Sequence, residues 1–139
     1  MLGQDNMKQK VINLLAIMLL LFPYLAKGQS PKNPEAFIIS QGFVKDNILT
    51  PSTAKFPHSA KAVKNWGKKY LIFGYLDLQN SNGAMVRANY NCEIIYKGGS
   101  WSNQSNWKLM FLTVGSELAY LDKSLTEEQA AKEVQNFPK

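Results

Sequence analysis

Few side chains in this sequence could carry acid–base or covalent chemistry. There is one histidine, His58, one cysteine, Cys92, and one arginine, Arg87. A catalytic His58 would need an orienting carboxylate and a nucleophile within hydrogen-bond reach. Asp77 and Glu93 are the candidate carboxylates, and Ser52, Thr53 and Ser59 the candidate nucleophiles. No spacing selects any combination of them, so a small hydrolase is the weakest functional reading. One cysteine excludes an internal disulfide and a multi-cysteine zinc or iron–sulfur site, and one histidine excludes a three-histidine metal site. The chain has no HExxH, no CxxC and no phosphate-cradling glycine loop. No metal or cofactor is therefore expected, and the chain reads as a non-enzyme.

Residues suited to binding are easier to find. Lys55, Lys61, Lys64, Lys68 and Lys69 follow one another with no acid among them. Such a segment attracts anionic polymers, lipid or nucleic acid. Arg87 lies four residues past Asn82-Gly83, a strong hairpin signal, which brings it towards the strand of Asp77. Trp101 sits in a Ser/Asn/Gln-rich loop and is expected to be exposed, while Trp107 begins a strand and is expected in the core. Arg87, Asp77, Lys68, Lys69 and Trp101 are the candidate contact residues.

The N-terminus reads as an address. Lys8 and Lys10 precede an apolar run over residues 11–22, the length of a signal-peptide core and short of the ~20 residues of a membrane span. Pro23 is expected to break that helix. Ala26 and Gly28 place small residues at the −3 and −1 positions of a cut before Gln29. Secretion or periplasmic delivery with cleavage is expected, with an uncleaved inner-membrane anchor as the alternative. After cleavage no stable membrane segment would remain. No cysteine lies near the cut, which excludes a lipoprotein anchor. The whole chain has 139 residues and a formal charge of +6. Loss of residues 1–28 leaves 111 residues, 13 basic and 9 acidic, and a charge of +4.

The elements that must position these residues follow from pattern. An extended leader over 29–34 precedes one domain over 35–122, and a polar helix or tail follows over 123–139. Asn33 is expected to cap a helix with Pro34 in its first turn. Its apolar face is Phe37, Ile38, Phe43, Val44 and Ile48, and it ends near Leu49 because Pro51 disfavours helical geometry before it. Strands are predicted over 60–66, 70–79, 84–97 and 107–114. The cleanest period-2 pattern puts Ala84, Val86, Ala88, Tyr90, Cys92, Ile94 and Tyr96 on one face. Gly115 is read as a stop. Ser124 or Thr126 caps the short C-terminal helix. One apolar helix face and one apolar sheet face predict an α+β domain, with the N-terminal helix on a three- to four-stranded antiparallel sheet. At fold level this is the two-layer arrangement of cystatins and small nuclear-transport-factor-like domains, an analogy that carries no function.

Leu49-Thr-Pro51-Ser-Thr-Ala54-Lys55-Phe56-Pro57, followed by Gly74-Tyr-Leu-Asp77-Leu-Gln79-Asn80-Ser-Asn-Gly83-Ala84-Met-Val86-Arg87-Ala-Asn-Tyr90, resembles a recurrent module of small bacterial and phage-encoded proteins. The likeness spans roughly residues 45–97. Such modules often follow an export signal, a membrane anchor or a zinc ribbon, and the resemblance brings no activity with it. Asn82 departs from the pattern, which has an aromatic residue before the glycine. The motif reads as architecture, with 51–57 wrapping the chain from helix to sheet, Phe56 as a plug and Asp77 to Arg87 closing a hairpin. The leading expectation is an exported, non-catalytic binding domain whose partner is a protein, a glycan or an anionic envelope polymer. Export disfavours nucleic acid. An inhibitor of an envelope or extracellular hydrolase is the alternative, with Trp101 as its wedge, although the cystatin-type Gln-x-Val-x-Gly loop is missing.

Overall fold

The computed structural model describes residues 2–25 and 30–136. Helix α1 spans Leu2–Leu25. It runs past Pro23, so the proline does not end it. Residues 6–19 are all exposed and none belongs to a core cluster. Among the described residues, no helix is long and apolar enough to cross a membrane. The expected cut at residues 26–28 lies outside the described residues.

Helix α2 spans Asn33–Asp46 and starts one residue earlier than expected, with Lys32 rather than Asn33 as its cap. Glu35 reaches back and accepts the Lys32 amide at 3.2 Å, so one otherwise orphaned donor is satisfied without a capping side chain at Asn33. The helix also stops before Leu49. Asn47 donates from its side chain to the Phe43 carbonyl at 2.8 Å, and Leu49 is fully exposed. The buried face is Ala36, Phe37, Ile39, Ser40 and Val44. Ile38 points to solvent instead of the core. Gly42 lets Gln104 lie close: a Cβ there would stand 2.1 Å from Oε1 at the end of that flexible side chain, whose amide donates to Asp46 at 2.8 Å.

Five strands form one antiparallel meander in chain order: β1 (Ala62–Trp66), β2 (Lys69–Gln79), β3 (Met85–Tyr96), β4 (Trp107–Val114) and β5 (Glu117–Leu121). The fold is α+β as expected, with one strand more than the sequence pattern predicted. Gly115, read as a stop, is the positive-φ residue of a tight turn that starts β5. Extra residues between β3 and β4, and between β4 and β5, shift the register and break strict alternation.

The two sheet faces are covered differently. On the front face, Tyr70, Ile72, Leu76, Tyr90, Cys92, Ile94, Trp107, Leu109 and Leu112 pack with α2. Cys92 is fully buried there, and burial pushes its thiol well up. Pro31 of the leader is buried too, and its carbonyl accepts the Tyr70 hydroxyl. On the back face, Leu71 and Phe111 pack with Ala130 of helix α3 (Glu127–Gln135). Thr126 caps α3 in a reciprocal box with Gln129, at 2.9 and 3.2 Å. The predicted two layers are thus three over part of the sheet.

The segment carrying the resemblance does architectural work. Thr50 donates to the Gln79 carbonyl at 3.0 Å, and the Gln79 amide donates to Thr53 at 3.2 Å. Lys55 and Asp77 exchange both backbone bonds, at 2.8 and 2.9 Å, on the β2 edge that β1 uses further along. Phe56 packs edge-on to Tyr90, with ring centroids 6.3 Å apart.

Candidate binding face

Period-2 geometry puts Lys69, Leu71, Phe73, Tyr75 and Asp77 of β2 on the back face. The register sets Arg87, Asn89, Asn91 and Glu93 of β3 beside them, and Lys64 and Trp66 of β1 on the other side. Helix α3 covers the Leu71 end. The Phe73–Asp77 end lies beyond that cover, with Phe73 and Tyr75 half-buried.

Cations lie over the rings of this face. Lys61 Nζ stands 5.4 Å from the Phe73 centroid and 5.6 Å from that of Tyr75, and donates to Asn89 Oδ1 at 2.9 Å. The Arg87 guanidinium is 4.3 Å from the Tyr75 centroid. Lys64 and Lys69 stand 4.9 and 5.4 Å from the centroid of Trp66. Such placement holds long, flexible side chains in set positions at modest energetic gain where exposed. Lys55, Lys61, Lys64 and Lys68 make no ion pair with any described residue.

Two cations of the face are already matched. Arg87 and Asp77 are directly cross-strand and form a bidentate pair at 2.8 and 2.9 Å. The guanidinium holds the Asp77 carboxyl below its ordinary range. The pair is exposed and clamps the outer end of the β2–β3 hairpin, so Arg87 does not stand as an unopposed anion site. Lys69 pairs with Glu133 of α3 at 2.8 Å and with Glu93 at 3.6 Å. Burial works against its charge, but the bond to Glu133 and the field of both carboxylates outweigh it, and its pKa rises. Glu93 is almost wholly buried, and desolvation pushes its carboxyl up despite Lys69. Its Oε2 has no hydrogen-bond partner among the described residues, and neither has Asn91 Oδ1 nearby.

The remaining sequence candidates fall elsewhere. Lys68 is exposed in the β1–β2 turn. Trp101 is half-buried against the core, and its carbonyl accepts the Trp107 indole at 2.8 Å, so it is not the exposed wedge expected of an inhibitor. The exposed tryptophan is Trp66. His58 borders an open depression between α2 and β1 with Phe37, Ile38 and Val63, on the front side of the sheet. Glu93 lies on the back face with Lys69, and Asp77 is taken by Arg87. The His58–carboxylate pairs that a hydrolase would need are not assembled. Among the described residues, no group of three or more His, Cys, Asp or Glu side chains could hold a metal ion.

Comparison of the chain with protein-family models, with curated proteins and with solved structures finds no match.

Proposed function

We propose that this chain is an exported, non-catalytic binding domain of the periplasm or cell surface, and that its back face takes an anionic envelope polymer. One observation carries the reading. Lys61, Lys64 and Lys68 follow the β1 edge of one sheet without opposing acids, and two of them are seated on aromatic rings. Edge lysines also guard an open strand against pairing with another chain, but that task needs charge alone and not seated ammonium groups. The rings here carry cations over their faces, which favours a partner that meets a row of charges over one whose bases stack on open rings. For export, the support is Lys8 and Lys10 ahead of the apolar run 11–22, on a helix whose residues 6–19 pack against neither core cluster.

The test is retention on immobilised polygalacturonate, as a carboxylated chain, and on polyphosphate, as a phosphorylated one, across a salt gradient. The double charge reversal Lys61→Glu with Lys64→Glu should weaken binding by about tenfold at low salt, as two exposed contacts warrant. Unchanged retention would overturn the assignment of the face. Equal retention on single-stranded DNA or anionic vesicles would overturn the choice of polymer. Intact mass of the exported product should show loss of residues 1–28.

A further inference from the structure

Resting on that reading, we infer that α3 is an acidic strap that occupies the Lys64–Lys69 end of the binding face in cis and gives way when the polyanion binds. Three observations lead there.

The first is what α3 offers to the face. It carries Glu127, Glu128 and Glu133 against one lysine, Lys132, which is paired internally with Glu128 at 3.1 Å. Glu133 places its carboxylate on Lys69 at 2.8 Å. Just beyond the helix, the Asn136 carbonyl accepts from Lys64 at 3.4 Å. Both lysines flank Trp66. A carboxylate and a neutral oxygen thus meet the two ammonium groups that an acidic polymer would meet.

The second is how lightly α3 is seated. It has nine residues, and Ala130 is its one buried residue. Leu125 and Val134 pack only partly against Leu71 and Phe111. A helix this short does not persist in water without its seat. Release would therefore turn it into a flexible tail, one of the known order–disorder switches.

The third is what docking costs. Under α3, Glu93 is buried with one carboxylate oxygen unpartnered, and it shares Lys69 with Glu133. The groups facing Glu93 are Lys69 from β2 and Glu133 from α3, with Lys64 one strand away in register with Leu71. Phe111 opposite it on β4 brings no charge. Two carboxylates therefore divide one ammonium, and an unsatisfied buried acceptor carries a desolvation penalty that release would relieve. A light seat over a strained polar group belongs to the low-stability end of a fold.

Amide hydrogen exchange on the full chain tests this, with and without polygalacturonate. Residues 127–135 should exchange much faster than the β2 and β3 amides, and faster again when the polymer is added. Glu133→Gln should bind polygalacturonate two- to fivefold tighter, roughly the worth of one exposed ion pair removed from competition. Ala130→Gln, too large for the seat, should do the same, with β2 and β3 protection as the check that the sheet is intact. Polymer binding with unchanged exchange in 127–135 and no gain in Glu133→Gln would overturn the strap and leave the binding face standing. No polymer binding by any variant would overturn the binding face and the strap with it. Exchange in α3 as slow as in β2 would overturn the strap whatever binds.

Discussion

Gly74 is the position where a single methyl group should do most damage. It lies in the middle of β2, directly across from Tyr90 of β3, and both are buried on the α2 side. A Cβ on Gly74 would stand 2.7 Å from Cε1 and Cζ of the Tyr90 ring and 2.8 Å from its hydroxyl oxygen. Ordinary contact begins near 3.4 Å, so the ring must retreat by about 0.7 Å. It cannot do so without loss. Its hydroxyl bonds Ser40 at 3.1 Å, Ser40 is anchored to the Phe37 carbonyl at 2.7 Å, and Phe56 sits against the ring edge. Overpacking of this kind costs about 1–3 kcal/mol, and a lost hydrogen bond adds about 1 kcal/mol. Alanine stiffens the unfolded chain relative to glycine and returns roughly 0.4–1 kcal/mol. Gly74→Ala should therefore destabilise the domain by about 2–3 kcal/mol, which for a domain of this size lowers Tm by roughly 10 °C or more. Urea unfolding read by tryptophan fluorescence measures it. Tyr90→Phe alone should cost about 1 kcal/mol. In the double variant the ring is no longer pinned at Ser40, so the two effects should fall short of additivity by at least about 0.5 kcal/mol. A Gly74→Ala cost under about 0.5 kcal/mol, or strict additivity, would refute the claim that β2 needs glycine because Tyr90 lies across it.

Two further predictions concern side chains the sequence singled out. Asp77 is held below its ordinary 3.8 by Arg87, so the pair stabilises the fold above that pH and the contribution is lost as pH falls through the lowered value. Asp77→Asn should flatten the acid limb of a Tm-against-pH curve and also leave the Arg87 guanidinium unopposed, so that elution from polygalacturonate needs more salt; an unchanged acid limb and an earlier elution would contradict the clamp. Cys92 is fully buried and its thiol is pushed up, so little thiolate forms in the native state. A thiol-specific chromophore should label it fully in urea and negligibly without, and native labelling at the rate of a free thiol would place Cys92 outside the core.

The contacts that sequence pattern made legible are those closed by a single hairpin. Asp77 and Arg87 are ten residues apart across one strong turn, and the cross-strand pair follows once that turn is accepted. The front face of β3 is legible in its second half only: Tyr90, Cys92 and Ile94 are in the core, while Ala84 and Val86, expected on the same inward face, are exposed near the hairpin turn where α2 does not cover them. Legibility fails where a second element decides. Ile38 and Ile39 are equally apolar, and only the angle at which α2 meets the sheet buries one and exposes the other. Four of the five residues of β5 are exposed, so its pattern carries no burial signal, and its pairing with β4 is what makes it a strand. Trp101, expected to be exposed, is half-buried because it tucks back to serve the Trp107 indole, and Trp66 is the exposed tryptophan. The largest change is electrostatic. In the linear sequence Lys69 closes a run of lysines, and the C-terminal acids stand far away. Chain reversal through β4 and β5 brings Glu133 across 64 residues onto Lys69, where Glu93 already waits on the neighbouring strand. No local spacing encodes that meeting, since it depends on the number of strands between the two ends and on which face α3 takes. Lys69 therefore joins an ion-pair network under α3, Lys55 lies in the field of Asp77, and Lys61, Lys64 and Lys68 retain the unopposed charge to which the partner must answer.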